Sequence, residues 1–302
     1  MTFHGSFYCP DYTVGQACAD IRELPWFARA CYRWCTWPLW AAEIWGVSSL
    51  RLAEKNVPVA TETDRASVVI VVPTYNEAEN LPVLVERLFA LEIPGLKLLI
   101  IDDGSPDGTG EVAKSLGHEL DGRVELLQRG KKMGLGTAYV DGMAQALAQR
   151  PDYIVQMDAD MSHPPERVPA FLEALEDADV VVGSRYVEGG GSEDSWGIRR
   201  RALSLMSNEG IRLASGVKVR DATSGFKAFR REAIAKVDLT RFHCSGFGFQ
   251  VEIIKACERR GFKVAELPII FGHRASGKSK MSIGIAVEAL WRLPALRFGK
   301  IP

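Results

Sequence analysis

The sequence predicts an α/β fold, a mostly parallel sheet with helices on both faces. Three observations carry this expectation. Short β-branched apolar runs recur from Ser67 onward, segments of helical period alternate with them, and polar clusters follow the runs. Ser67–Val72 (Ser-Val-Val-Ile-Val-Val) reads as a buried strand. Leu81, Leu84, Val85, Leu88 and Phe89 then recur at helical spacing. Leu98–Ile101 is a second strand, Gly108–Leu116 a short helix and Val124–Leu127 a third strand. Tyr139, Val140, Met143, Ala144 and Leu147 mark another helix. Tyr153–Met157 is a fourth strand, Pro165–Leu175 a helix and Val180–Val182 a fifth strand.

Composition narrows the class. The chain has 302 residues, 47% hydrophobic and 25% charged, which is ordinary globular usage and excludes a disordered or collagen-like chain. Net charge is −1, from 37 basic and 38 acidic residues, so a nucleic-acid partner is not expected. Six cysteines do not define a disulfide framework. Free thiols in a reducing cytoplasm are the expectation. Met-Thr-Phe-His-Gly lacks the start of a signal peptide, and no run of about 18 apolar residues predicts a transmembrane helix.

Residues 1–66 differ from the remainder. Trp26, Trp34, Trp37, Trp40 and Trp45 lie here, with Arg29, Arg33, Glu43 and Pro38 among them. Aromatics mixed with arginine suit a membrane–water interface, but a segment packed on the following domain or a loose extension is the favoured expectation. Val57–Ala66 reads as a linker. The expected organisation is thus an extension over 1–66 and a catalytic domain over 67–302.

In parallel α/β sheets, ligands bind beyond the carboxyl ends of the strands. The first strand here ends in Pro73-Thr74-Tyr75-Asn76-Glu77, and the second in Asp102-Asp103-Gly104-Ser105-Pro106-Asp107-Gly108-Thr109. The fourth ends in Asp158-Ala159-Asp160-Met161-Ser162-His163, and the fifth in Gly183-Ser184-Arg185-Tyr186. One carboxylate at a strand end is commonly a cap or turn former. Four polar clusters on one edge predict a binding cleft. Asp158 and Asp160 are two apart, so in extended geometry both side chains point the same way. Close carboxylates repel unless a cation or proton lies between them, and oxygen ligands favour Mg²⁺ or Mn²⁺.

Two patterns are decoys. Asp103-x-Ser105-x-Asp107-Gly108 imitates an EF-hand start, but its twelfth position is Lys114 where a glutamate is needed. Lys131-Lys132-Met133-Gly134-Leu135-Gly136 has its lysines ahead of its glycines, unlike a Walker loop. His163 and His243 read as turn or packing residues. Phe226, Phe229, Phe242, Phe247 and Phe249 read as core.

Together these clusters resemble the family 2 glycosyltransferases with a GT-A, Rossmann-like fold, and within them the dolichol- and polyprenol-phosphate mannosyltransferases. Further signatures are Ser224-Gly225-Phe226-Lys227-Ala228-Phe229-Arg230 and Arg274–Lys280. The likeness runs over roughly three quarters of the chain, Ser67–Arg292. It implies that Pro73, Tyr75, Glu77, Ile101 and Asp103 hold the base and ribose of a nucleotide sugar. Asp158, Ala159 and Asp160 would meet its diphosphate through Mg²⁺ or Mn²⁺, and Arg185 would lie between donor and acceptor phosphates. Arg200 and Ser204 match acceptor-phosphate positions, and Arg274 and Lys280 a loop that closes over the donor. Some relatives carry a glutamine ligand two residues after the second aspartate, where this chain has Ser162.

The implied reaction is inverting transfer of mannose from GDP-mannose to a dolichyl or polyprenyl phosphate. The catalytic set is then Asp158, Asp160 and Arg185. A phosphate monoester is mostly dianionic at neutral pH, its second pKa being about 6, so no dedicated base is expected. The competing expectations are glucosyl or aminosugar transfer to the same lipid, or a non-catalytic nucleotide-sugar scaffold. Polysaccharide synthases usually show Gln-x-x-Arg-Trp, which does not occur here. Met281–Leu296 reads as an interfacial helix or the last core helix. Peripheral attachment to the cytoplasmic face of a membrane follows.

Overall fold

The computed structural model describes residues 66–193, 197–242, 246, 248–272, 294 and 296–298. The strands are β1 Val68–Thr74, β2 Leu96–Asp102, β3 Val124–Gln128, β4 Tyr153–Gln156, β5 Val180–Ser184, β6 Gly191–Ser192, β7 Lys227–Arg230, β8 Val264–Pro268 and β9 Ile270–Phe271. The helices are α1 Asn80–Phe89, α2 Thr109–Glu119, α3 Leu135–Ala148, α4 Val168–Ala174, α5 Ile198–Ser215, α6 Arg231–Ala235 and α7 Gly248–Arg259.

Seven strands form one sheet in the order β3-β2-β1-β4-β7-β5-β8, while β6 and β9 pair separately. The alternation of side chains along each strand sorts the apolar residues onto two faces. Val69, Val71, Leu99 and Ile101 pack with Tyr139 and Met143 of α3 and with Phe249 and Ile253 of α7. Val68, Ile70, Val72, Leu98 and Ile100 pack with Leu81, Leu84 and Leu88 of α1 and with Phe171 of α4. Helices therefore cover both faces, as the alternating pattern predicted. Gly142 permits α3 to approach closely, since a Cβ there would lie 2.6 Å from Val71 Cγ1 and 2.7 Å from Ile101 Cδ1.

Register places the motifs. Thr74 pairs with Asp102, Asp102 with Gln128 and Val71 with Gln156, so these parallel strands end along one edge. β7 is the departure from parallel order. It runs antiparallel between β4 and β5, with Gln156 and Val182 both opposite Lys227. An antiparallel strand begins at the edge where its parallel neighbours end. The residues leading into β7 therefore arrive at the same edge as the acidic clusters. The helix expected over Pro165–Leu175 is split into a 3₁₀ turn, Pro165–Arg167, and α4. Pro169 supplies no N–H to continue a single helical ladder.

Candidate active site

The run Asp102–Thr109 is built from side chains that hold backbone. Buried Asp102 accepts from Thr74 Oγ1 at 3.3 Å, from the Ser105 N–H at 3.1 Å and from the Ser105 hydroxyl. Asp107 accepts from Thr109 N–H and from Ala78 N–H, each at 3.1 Å, tying the turn after β2 to the turn after β1. Burial pushes the Asp107 carboxyl up, but the hydrogen bonds from Thr109 and Ala78 prevail and hold it below the ordinary value. Gly108, at φ +88°, supplies the left-handed residue that opens α2.

The residues expected around the base and ribose do share this edge, where Pro73 pairs with Ile101 across β1 and β2. Ile101 is wholly buried, its side chain in the core, while its carbonyl accepts from Thr74 Oγ1. Tyr75 lies beneath Lys132, whose Nζ is 3.9 Å from the ring centre. Glu77 accepts from Asn80 Nδ2 at 2.7 Å, and its N–H donates to Thr109 Oγ1. The Asp103 carboxylate accepts from the N–H groups of Met133 and Gly134 and pairs with Arg129 at 2.9 Å. It is thus engaged in fixing the turn that opens α3.

The acidic pair departs from the extended geometry expected of it. β4 ends at Gln156, and the chain then turns, with Met161 at φ +65°. The pleat therefore does not set the direction of the two carboxylates. Asp158 accepts from the Tyr139 hydroxyl at 2.9 Å, and its N–H donates to His163 Nδ1 at 2.9 Å. Asp160 accepts from the Ser162 N–H at 3.1 Å and from its hydroxyl at 2.5 Å. Ser162 thus supports Asp160 from within the turn.

His163 is a buried turn and packing residue, stacked on Phe226 at 5.3 Å and edge-on to Phe271. Burial pushes its pKa down against the pull of Asp158 and Asp160. An Nδ1 that accepts carries no proton, which agrees with that direction.

Gly225 borders Asp158 and His163 closely. A Cβ there would lie 3.0 Å from His163 Cε1 and 3.3 Å from Asp158 Oδ2. Asp158 and Asp160 on one short turn, with Gly225 leaving space beside the first, offer carboxylate oxygens of the kind that Mg²⁺ or Mn²⁺ takes. Among the described residues no group of three or more His, Cys, Asp or Glu side chains is placed to hold a metal ion.

Arg185 follows β5 and is gripped by a residue the sequence did not single out. Its Nε and Nη2 donate to Asp221 at 2.7 and 2.8 Å, and Nη2 also donates to Thr223 Oγ1 at 2.7 Å. Tyr186 and Phe271 lie at 5.1 and 5.2 Å from the guanidinium carbon. The Tyr186 hydroxyl meets Ser204 Oγ at 2.8 Å, which brings α5 to Arg185's neighbour. Arg200 is exposed in the first turn of α5, and Arg201 donates to the carbonyls of Ser192 and Glu193. Arg274 and Lys280 lie outside the described residues, as do 1–65, His243, Phe247 and most of Met281–Leu296.

The sequence did not single out the polar contacts made by Tyr139, Asp221, Asn208, Gln156, Gln250 and Lys227. Lys227 was the most visible, a lysine inside the apolar run Phe226-Lys227-Ala228-Phe229. Asp221 carries no periodic signal.

The seven-stranded, mostly parallel sheet covered by helices on both faces has the GT-A architecture of glycosyltransferases. The sequence matches the model of glycosyl transferase family 2 over residues 69–238, and the chain belongs to that family. It is 40% identical over 235 residues to a polyprenol monophosphomannose synthase of Mycolicibacterium smegmatis, covering 78% of this chain and 88% of that one. It is 41% identical over 223 residues to an undecaprenyl-phosphate mannosyltransferase of Micrococcus luteus, covering 74% and 90%. Among solved structures, glucosyl-3-phosphoglycerate synthase from Mycobacterium tuberculosis, in complex with Mn²⁺, uridine diphosphate and glucosyl-3-phosphoglycerate, is similar. That match has a TM-score of 0.56 at 18% identity, covers 80% and 82% of the two chains, and bears on the fold alone.

Proposed function

We propose that this chain transfers mannose from GDP-mannose to a dolichyl or polyprenyl phosphate with inversion at the sugar carbon. The observation that carries the reading is the 40 and 41% identity, over about three quarters of the chain, to relatives named for that sugar and for such lipids. The site geometry supports it. Asp158 and Asp160 would hold Mg²⁺ or Mn²⁺, which supplies charge stabilisation to the departing diphosphate.

The rest falls to the chain's own residues. Arg185, held by Asp221 and Thr223 through Nε and Nη2, keeps its Nη1 donors and its charge for the acceptor phosphate, a charge-assisted contact that orients it. Arg200 and Ser204 on α5 complete the acceptor side. Pro73, Tyr75, Glu77 and Asp103 line the base and ribose edge above the buried Ile101, and Arg274 and Lys280 would add positive charge for the departing diphosphate. A phosphate oxygen forms the new bond to the sugar carbon as the bond to the diphosphate breaks. The diphosphate leaves with the electron pair, and no proton has to be removed first.

The lipid requires a membrane surface. No described helix is long and apolar enough to cross one. The outward face of α5 instead carries Ile198, Leu203, Met206 and Leu213, exposed by 86, 66, 70 and 69%, beside Arg199. Apolar side chains flanked by arginine suit the lipid interface, so peripheral docking on the cytoplasmic face fits the reading.

The test is incubation with GDP-mannose or UDP-glucose and a short polyprenyl phosphate, with Mg²⁺ and with EDTA. Mannose transfer that EDTA abolishes is expected. Turnover with UDP-glucose alone would overturn the donor, and donor binding without turnover would favour a scaffold. Arg200→Ala should cut transfer while leaving donor affinity unchanged; persistent transfer would remove Arg200 from the acceptor side.

A further inference from the structure

Residues 220–225 form no regular element, yet four buried or half-buried side chains from four elements bond to them, and a fifth, Gln250, holds two of those four. Glu266 on β8 accepts from the N–H groups of Arg220 and Asp221, at 2.7 and 3.0 Å. Asn208 on α5 donates to the Arg220 carbonyl at 2.6 Å and accepts from the Ala222 N–H at 3.0 Å. Gln156 on β4 donates to the Gly225 carbonyl at 2.9 Å. Lys227 on β7 donates to the Ser224 carbonyl and, at 2.6 Å, to Gln250 Oε1 of α7. Gln250 Oε1 also accepts from Gln156 at 2.6 Å.

Lys227 and Gln156 are wholly buried. Burying an amine at the centre of a sheet is costly, and the same strand position would take an apolar residue without that cost. What the segment holds is therefore informative. At one end Asp221 and Thr223 grip Arg185. At the other, Gly225 lies against the Asp158 carboxylate. The strap thus spans the gap between the acidic turn and the arginine clamp.

We infer that Lys227, with Gln250 and Gln156, is a positioning residue that sets the spacing between Asp158 and Arg185 by clamping the strap 220–225. It touches neither substrate. The inference rests on the proposed transfer reaction for its consequence, though not for the clamp itself. A misplacement of about 1 Å at a transfer site costs on the order of 100-fold in rate.

The test uses full-length Lys227→Met and Lys227→Met/Gln250→Leu. In Lys227→Met, kcat falls about 10- to 100-fold while KM for GDP-mannose stays within about twofold, the split expected when only the transition state is affected. Amide hydrogen exchange over 221–226 becomes faster in the same variant. The double variant, with fewer unsatisfied buried partners, regains thermal stability but not kcat; a wholly structural role would return both together. Wild-type kcat in either variant, or unchanged exchange in Lys227→Met, overturns the inference. Should Lys227→Met fail to fold, the double variant decides by the same readouts. Should the wild-type chain transfer no mannose to lipid phosphate, the proposed function fails, and exchange over 221–226 still judges the clamp.

Discussion

Replacing Asp221 by Ala isolates the strongest pairing at the site. Asp221 is wholly buried and Arg185 is 11% exposed, so neither charge finds compensation in water. The pair is bidentate at 2.7 and 2.8 Å, and Asp221 also accepts from the Arg185 N–H at 3.0 Å. Removing one partner of a buried pair strands the other, at about 3–5 kcal/mol. That is a large part of a typical folding stability of about 5–15 kcal/mol. The assay is urea unfolding of wild type, Asp221→Ala, Arg185→Met and the double variant.

The double variant should cost clearly less than the sum of the singles, because it leaves no unpaired charge. The pH dependence has a definite sign. Burial pushes the Asp221 carboxyl up, but the hydrogen bonds and charge of Arg185 prevail and hold it below the ordinary range. The pair's contribution is therefore present above about pH 3.9 and fades as pH falls through the lower folded value. A loss below about 1 kcal/mol in Asp221→Ala, or additive singles, would refute the reasoning.

Three further outcomes are expected. Gly142→Ala should destabilise by about 1–3 kcal/mol, read by urea unfolding, because its methyl meets the stiff, buried Val71 side chain at 2.6 Å; a neutral effect would mean that α3 shifts freely. Burial lowers Lys227 from its ordinary 10.5 to about 7, against the pull of Asp221, Asp158 and Cys257 and with a push from Arg185. From pH 7 to 10 the unfolded state binds the extra proton, so wild type should gain up to about 1.4 kcal/mol per pH unit relative to Lys227→Met, and a flat difference would contradict the buried amine. Met206→Asp/Leu213→Asp should lower co-sedimentation with anionic vesicles while leaving the melting temperature within about 2 °C, since both side chains are exposed; undiminished binding would place the membrane contact elsewhere.

Much of this was legible along the chain. Val68–Val72, Leu98–Ile101 and Val124–Leu127 announce strands because backbone period and burial are local properties. The polar clusters after them mark the functional edge because parallel strands bring their carboxyl ends together. Partners are another matter. The Arg185–Asp221 clamp joins residues 36 apart, and the Gln156–Gln250 bond joins residues 94 apart, at spacings that no helix or strand period encodes.

The acidic turn shows the boundary most clearly. Sequence alone determined that Asp158 and Asp160 follow a buried strand. Where that strand stops, and hence which way each carboxylate points, was decided by Tyr139, Ser162 and His163 closing a turn around them. The antiparallel insertion of β7 was likewise a tertiary decision. Its four residues carry too little local pattern to state a direction, and only pairing with β4 on one side and β5 on the other settles it. Local sequence reports what each segment prefers to bury; the orientation of a polar group depends on which distant donor or acceptor folding brings to it.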